Sequence, residues 1–156
     1  MFREFLKRQS NVFYIQLWPD LIKVTELNSS QVYEDAPLVA FDSGDEKHTI
    51  LEIGESARSL SGKPNVAVIG PLYSDGYVFA DIDCVVAIIN HAIFSMSKRA
   101  PGKIFSPLII IHPMRDAERG LCVGDADVAK LLSKRCGART TLLMEPDEYL
   151  DLDGVA

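Results

Sequence analysis

The sequence predicts an α/β protein: a mixed five-stranded sheet with helices packed on it and a small inserted subdomain. Three observations predict it. Short β-rich runs separated by turn residues fill positions 12–41. Apolar residues at helical spacing occupy 81–97 and 125–136. Between those helices lies a continuously apolar run, SPLIIIH (106–112), the pattern of a strand buried on both faces.

Each element follows in order. Met1, Phe2, Phe5 and Leu6 share one face of a short helix, with Arg3, Lys7 and Arg8 around the other. VFYIQLW (12–18) is β-rich, Pro19-Asp20 is a turn, and LIKVTEL (21–27) alternates apolar and polar residues. After a second turn at Asn28-Ser29-Ser30 come QVYE (31–34) and PLVAF (37–41), completing a three-stranded antiparallel meander. The polar stretch DSGDEKH (42–48) then leads to TILEIG (49–54), the short helix ESARSL (55–60), NVAVIG (65–70) and a turn at Ser74-Asp75-Gly76. From Asp81, a suitable N-cap, the residues Ile82, Val85, Val86, Ile89, Ile93 and Met96 recur at helical spacing. Pro101-Gly102 breaks the chain before the buried strand. DADVAKLLSKRC (125–136) has acids in its first turn, Lys134 and Arg135 in its last, and Gly137 as its stop signal. TTLLM (140–144) is a strand, and Glu145-Pro146 opens a final short helix. Right-handed crossovers place the late strands parallel to the first one. That order is the layout of the ribonuclease-H/actin-like fold.

Composition narrows the function classes. A chain of 156 residues, 47% hydrophobic and 24% charged, holds one real core without needing disulfides or a metal. No apolar run reaches the roughly 18 residues of a membrane span, and the opening stretch lacks a signal-peptide pattern. Three cysteines, Cys84, Cys122 and Cys136, with no CxxC pair suit reduced thiols in a cytoplasm. A net charge of −6 argues against nucleic-acid binding. The charge is uneven: residues 1–10 carry a net +2 and residues 145–156 a net −5. A basic head and an acidic tail either meet different partners or are simply two solvated termini.

Several stretches carry a resemblance through nearly the whole chain: APLVAF (36–41), EIGESARSLSGKPNVAVIGPLYSDGYVFAD (52–81), SPLIIIHP (106–113) and KRCGARTTLLMEP (134–146). They resemble the first domain of MreB, the bacterial actin homologue that organises rod-shape determination. Gly54, Ala57, Gly62, Pro71, Asp75, Gly76, Asp81, Pro113, Gly137, Ala138, Arg139, Glu145 and Pro146 fit the family pattern in order. No single motif is specific; their ordered sum is. The resemblance implies three segments: an amphipathic one over 1–8, an actin-like first domain over 9–146 with a small insertion at about 42–72, and an acidic tail over 147–156.

The departures from the family bear on chemistry. Its first phosphate loop reads Asp-Leu-Gly-Thr-Ala-Asn-Thr in the hairpin between the first two strands, where small residues let backbone N–H groups approach phosphate. Here the chain reads Gln16-Leu17-Trp18-Pro19-Asp20-Leu21-Ile22. Gln16 replaces the carboxylate that a Mg²⁺ shell favours, Trp18 falls at a glycine position, and Pro19 removes a backbone donor. Gln16, Trp18, Pro19 and Asp20 are therefore either remnants of a phosphate loop or simply a tight hairpin. In MreB a Glu near the start of the following helix positions the attacking water. Counting back from Gly137-Ala138-Arg139 gives Asp125, with Glu118 as the competing register and a helix cap as the structural alternative. The family's second domain does not follow Glu145-Pro146, so half a cleft is expected to hold nucleotide very weakly. No catalytic residue, metal or cofactor is expected, and no ATPase activity.

Other chemistry is thin. His48, His91 and His112 lack ligand-type spacing to each other or to cysteine, and read as surface or satisfied core histidines. Cys84 and Cys136 read as core fillers. MreB proteins of many bacteria carry a membrane-binding N-terminal helix, and Phe2, Arg3, Phe5, Leu6, Lys7 and Arg8 look similar; the alternative is a first turn packed on the domain's own core. Its apolar burial and basic residues support weak, avidity-dependent attachment. The sequence thus points to a non-catalytic, MreB-related interaction or scaffold module, cytoplasmic or peripheral on the inner membrane, serving cell-shape, cytoskeletal or envelope machinery. Its expected partner is a protein: a filament, an envelope complex or itself. The alternatives are a half-ATPase completed by a partner chain, or a truncated fragment of a longer MreB-like protein.

Overall fold

Val12–Leu17 joins Leu108–Pro113 in parallel along six residue pairs, from Val12↔Leu108 to Leu17↔Pro113. This pairing is the spine of a computed structural model that describes residues 2–7, 11–74, 76–98, 106–115 and 123–151, without the side chains of residues 2, 3, 7, 123 and 124. Helix α1 (Phe2–Lys7) precedes strands β1 (Val12–Leu17), β2 (Ile22–Glu26), β3 (Gln31–Asp35), β4 (Val39–Asp42) and β5 (Ile50–Ile53). Then come α2 (Glu55–Arg58), β6 (Val66–Ile69), β7 (Leu72–Ser74), β8 (Tyr77–Phe79) and α3 (Ile82–Ser97). The described elements end with β9 (Leu108–Pro113), α4 (Val123–Arg135) and β10 (Thr140–Leu143).

The main sheet has the order β10-β9-β1-β2-β3. β1, β9 and β10 are parallel, and β2 and β3 are antiparallel additions. The mixed five-stranded sheet is as the sequence predicts. The alternation of side chains divides its core in two. Phe13, Ile15 and Leu17 of β1, with Ile109 and Ile111 of β9, point at α3 and α4 and pack on Val85, Ile89, Ile93, Ala129 and Leu132. Val12 and Tyr14, with Leu108 and Ile110, point the other way and meet Leu6, Leu27, Met144 and Leu150. All six residues of β9 are buried, which explains their uninterrupted apolar character.

The helices start and stop for local reasons. Asp81 caps α3, its side chain accepting from the Cys84 N–H at 3.0 Å. Gly137, with φ of 75°, ends the α4 turn in the left-handed conformation that glycine adopts freely. Arg135 at the end of α4 pairs with Asp83 at the start of α3 at 2.6 Å, on the surface.

Two expectations change. PLVAF does not complete the meander. Pro37 offers no N–H to the ladder and the chain bends where Leu38 N–H bonds Ala36 C=O, so β4 leaves the main sheet. It becomes the middle strand of a separate sheet, β5-β4-β6. Leu72–Ser74 and Tyr77–Phe79 pair as the antiparallel strands β7 and β8, on either side of the expected turn. The stretch after Glu145 is a turn, closed by Glu148 N–H to Glu145 C=O at 3.0 Å, rather than a helix. Near the two ends of the described residues, Leu6 and Leu150 share one apolar cluster.

The inserted sheet is pinned to the main one by Asp35. Its Oδ1 accepts from Ala36 N–H and from Glu55 N–H, both at 2.8 Å, tying the start of α2 to the end of β3. Gly54 sits against that carboxylate with φ of 95°, and a Cβ there would overlap it. Only glycine meets both demands.

The two-sided burial of the spine gives a direct expectation. Ile111→Ala should cost about 2–5 kcal/mol of unfolding free energy, whereas Leu131→Ala, 47% exposed, should stay within about 0.5 kcal/mol. Urea denaturation of the two variants makes the comparison.

Candidate functional site

The carboxyl ends of β1, β9 and β10 lie along one edge of the sheet, where open α/β sheets hold their ligands. The β1–β2 hairpin is tight. Trp18 N–H donates to Leu21 C=O at 2.9 Å, leaving Pro19 and Asp20 as its exposed turn residues. Pro19 has no N–H, and that of Trp18 is already engaged. The loop therefore offers few of the converging donors that cradle a phosphate. Gln16 is half-buried and donates through Nε2 to Met114 Sδ at 3.6 Å. A neutral amide turned toward a thioether is a poor substitute for a carboxylate beside a divalent cation.

Above this hairpin sits Tyr73. Its hydroxyl donates to Leu17 C=O at 2.8 Å and accepts from Arg115 N–H at 3.2 Å. Met114 N–H donates to the same Leu17 carbonyl, also at 2.8 Å. One phenol therefore ties the end of β1 to the chain leaving β9. Tyr73 has φ of 50°, uncommon for an aromatic residue, and the two hydrogen bonds hold it there.

Beside Tyr73 opens a cavity of about 420 Å³ lined by Met114, Arg115, Glu145, Pro146 and Asp147. Two carboxylates face one guanidinium, a lining that disfavours a phosphate chain. Below it, His112 is buried between two partners. Its Nδ1 meets the Tyr14 hydroxyl at 2.5 Å and its Nε2 meets Glu145 C=O at 2.9 Å. A carbonyl only accepts, so Nε2 carries the proton and the Tyr14 hydroxyl donates to Nδ1. Burial pushes the Tyr14 hydroxyl up to about 12, with Tyr149 adding to the effect.

The remaining candidates are dispersed. Half-buried Asp125 lies in the first turn of α4, the helix between β9 and β10. Glu118, the competing register, lies outside the described residues, as does Arg8 of the N-terminal set. The side chains of Phe2, Arg3 and Lys7 are likewise outside the description. Phe5 is 42% exposed, but Leu6 is fully buried against the sheet. The apolar face of α1 is thus divided rather than wholly free: Leu6 packs on the domain's own core because its position faces the β1–β9 spine.

His48 and His91 are surface residues whose rings meet Phe41 and Tyr33 edge-on. Burial pushes the Cys84 and Cys136 thiols up to about 12, so neither is a ready nucleophile. Among the described residues, no group of three or more His, Cys, Asp or Glu is placed to hold a metal. A cavity of about 530 Å³ lies apart from this edge, between the inserted sheet and the start of α3; Phe41, His48 and Asp81 help line it.

Sequence reasoning found the hairpin but missed Tyr73, Met114 and Arg115. A hydroxyl that closes a carbonyl gap leaves no periodicity or motif behind. Only the unusual stretch Gly70-Pro71-Leu72-Tyr73, at the seam of two sheets, marks the place.

No family model and no curated protein matches the sequence. Solved structures do. MreB5 of Spiroplasma citri bound to ADP is similar over 88% of this chain and 38% of its own, at 19% identity and a TM-score of 0.69. A non-polymerising MamK mutant bound to AMPPNP is similar over 88% of this chain and 42% of its own, at 14% identity and a TM-score of 0.62. A MamK double helical filament gives 15% identity and 0.63 over 86% and 41%. The chain therefore has an actin-like fold, resembling a fragment of it that spans about two-fifths of these proteins.

Tyr73→Phe removes the hydroxyl and leaves a donor and an acceptor short of a partner. It should cost about 1–2 kcal/mol. It should also accelerate hydrogen exchange at the Arg115 amide, read by mass spectrometry.

Proposed function

We propose that the chain is a non-catalytic actin-like interaction or scaffold module, related to MreB and serving cell-shape, cytoskeletal or envelope machinery at the inner membrane face. The observation that carries this reading is the closed hairpin. Trp18 is bonded to Leu21, Pro19 lacks a donor, Gln16 turns to Met114, and Tyr73 spans the gap between Leu17 and Arg115. Phosphate binding would need that edge open, donor-rich and close to a carboxylate-held cation. Asp125 is read as a remnant of the water-positioning acid, and Gln16, Trp18, Pro19 and Asp20 as remnants of the phosphate loop. The partner is a protein, and no cofactor is required. MamK, a neighbour in fold, is known as a double helical filament, which supports a protein or a second copy as partner.

Titration calorimetry with MgATP and MgADP tests the reading. Affinity weaker than roughly 1 mM is expected for both; micromolar binding with turnover would sink the proposal. A second reading rests on the nucleotides held by the neighbours, ADP in MreB5 and AMPPNP in MamK. In it, the chain is half of an ATPase completed by a partner. That reading requires micromolar nucleotide binding once a second polypeptide is added.

The proposal also gives α1 a peripheral membrane role carried by Phe2, Phe5 and the basic residues Arg3, Lys7 and Arg8, with Leu6 serving the core. No helix among the described residues is long and apolar enough to cross a membrane. Removing one phenyl ring from the lipid contact should weaken attachment about tenfold. Phe5→Ser is therefore expected to reduce co-sedimentation with anionic liposomes while leaving the fold intact. Equal pelleting of Phe5→Ser and the parent chain removes α1 from the membrane argument.

A further inference from the structure

We propose that the outer edge of β6 pairs antiparallel with the same strand of a second copy of this chain, joining two inserted sheets into one of six strands. Among the described residues β6 is an edge strand that pairs only with β4. Its four residues, Val66-Ala67-Val68-Ile69, carry no charge, no proline and no bulge, and all are half-buried. Short as it is, such a strand lacks the charge, proline or bulge by which natural edges avoid pairing.

The opposite edge of the same sheet is protected. β5 carries Glu52 at its centre, its register with β4 shifts between Ala40 and Phe41, and α2 follows it directly. The contrast between the two edges is what selects β6.

A second copy is the occupant that the charge distribution fits. The chain carries −6 overall, so two copies approach only through a surface free of acid. No carboxylate occurs between Ser59 and Ser74, and Lys63 is the one charge there. An apolar strand is also its own complement: turned about a two-fold axis near Ala67, it sets Val66 of each copy beside Val68 of the other. Pro64 before the strand and Gly70-Pro71 after it fix the pairing length. Because each copy uses its one open small-sheet edge and β5 is blunted, association stops at two instead of growing into a fibre. Four residues per strand supply few hydrogen bonds, so the dimer is weak, with a Kd of roughly 10–100 µM. This proposal concerns a surface away from the hairpin and does not depend on whether nucleotide binds.

Sedimentation velocity of the full chain from about 1 to 500 µM tests it, alongside Val68→Lys and Val68→Glu. The parent should shift from monomer to dimer across that range. Each variant alone should remain monomeric, because two like charges then lie diagonally across the two-fold, each opposite Val66 of the other copy on a closing apolar face. An equimolar mixture of the two should dimerise again, which a merely misfolded variant cannot do. If circular dichroism shows either variant unfolded, Val66→Lys and Val66→Glu replace them on the same face of the strand. A parent monomeric at 500 µM, a dimer untouched by the charges, or a mixture that stays monomeric each overturns the proposal. So does a parent that stays monomeric while binding extended peptides of other sequence, which would make β6 a docking edge for another protein.

Discussion

Everything in this fold depends on β1 being bonded on both edges and buried on both faces. Its parallel ladder with β9 and antiparallel ladder with β2 leave no backbone edge free. Its alternate side chains then seed the two apolar clusters that hold the helices on one side and the end segments on the other. A strand with these obligations tolerates little change inside, but its end is less constrained. At Leu17 the ladder stops, and the chemistry of the sheet's carboxyl edge is set by what the next few residues do with their backbone groups.

Here those residues satisfy one another. Trp18 closes on Leu21, and the Leu17 carbonyl takes bonds from both Met114 and Tyr73. A phosphate loop leaves its donors unpaired until an anion arrives, whereas this edge is settled without one. An actin-like sheet and a phosphate site place separate demands on the chain. The sheet needs apolar alternation, and the site needs a handful of unsatisfied amides and a carboxylate, which are independent requirements on different residues.

The same separation governs how much could be read from the chain. The runs around Phe13, Val24 and Ile110 announce strands because their residue types serve the sheet itself, and Asp81 announces a helix start for the same reason. The turn at Pro19-Asp20 was legible too, because proline there suits a tight hairpin and removes a backbone donor. Tyr73 was not legible, because its role depends on where β7 passes over the end of β1, a fact of tertiary placement. Nor was the departure of β4 from the main sheet, where a single proline and one bent peptide unit decide between two sheets with equal claim on PLVAF. The helical pattern expected after Glu145 failed in another way: Leu150 is drawn onto the apolar cluster beneath the sheet, and that burial outweighs the weak propensity of so short a segment.

The parallel spine has a temporal side. β1, β2 and β3 are neighbours in sequence and can form their ladders early, but Val12 waits for Leu108 before its other edge is closed. During synthesis the meander therefore emerges with Phe13, Ile15 and Val24 uncovered until α3 arrives, and with one edge of β1 unpaired until β9 does. Contacts of such long sequence separation slow folding and prolong exposure of sticky surface. The strand that anchors the finished protein is thus also the one most dependent on a chaperone, or on a well-timed ribosome, while it is being made.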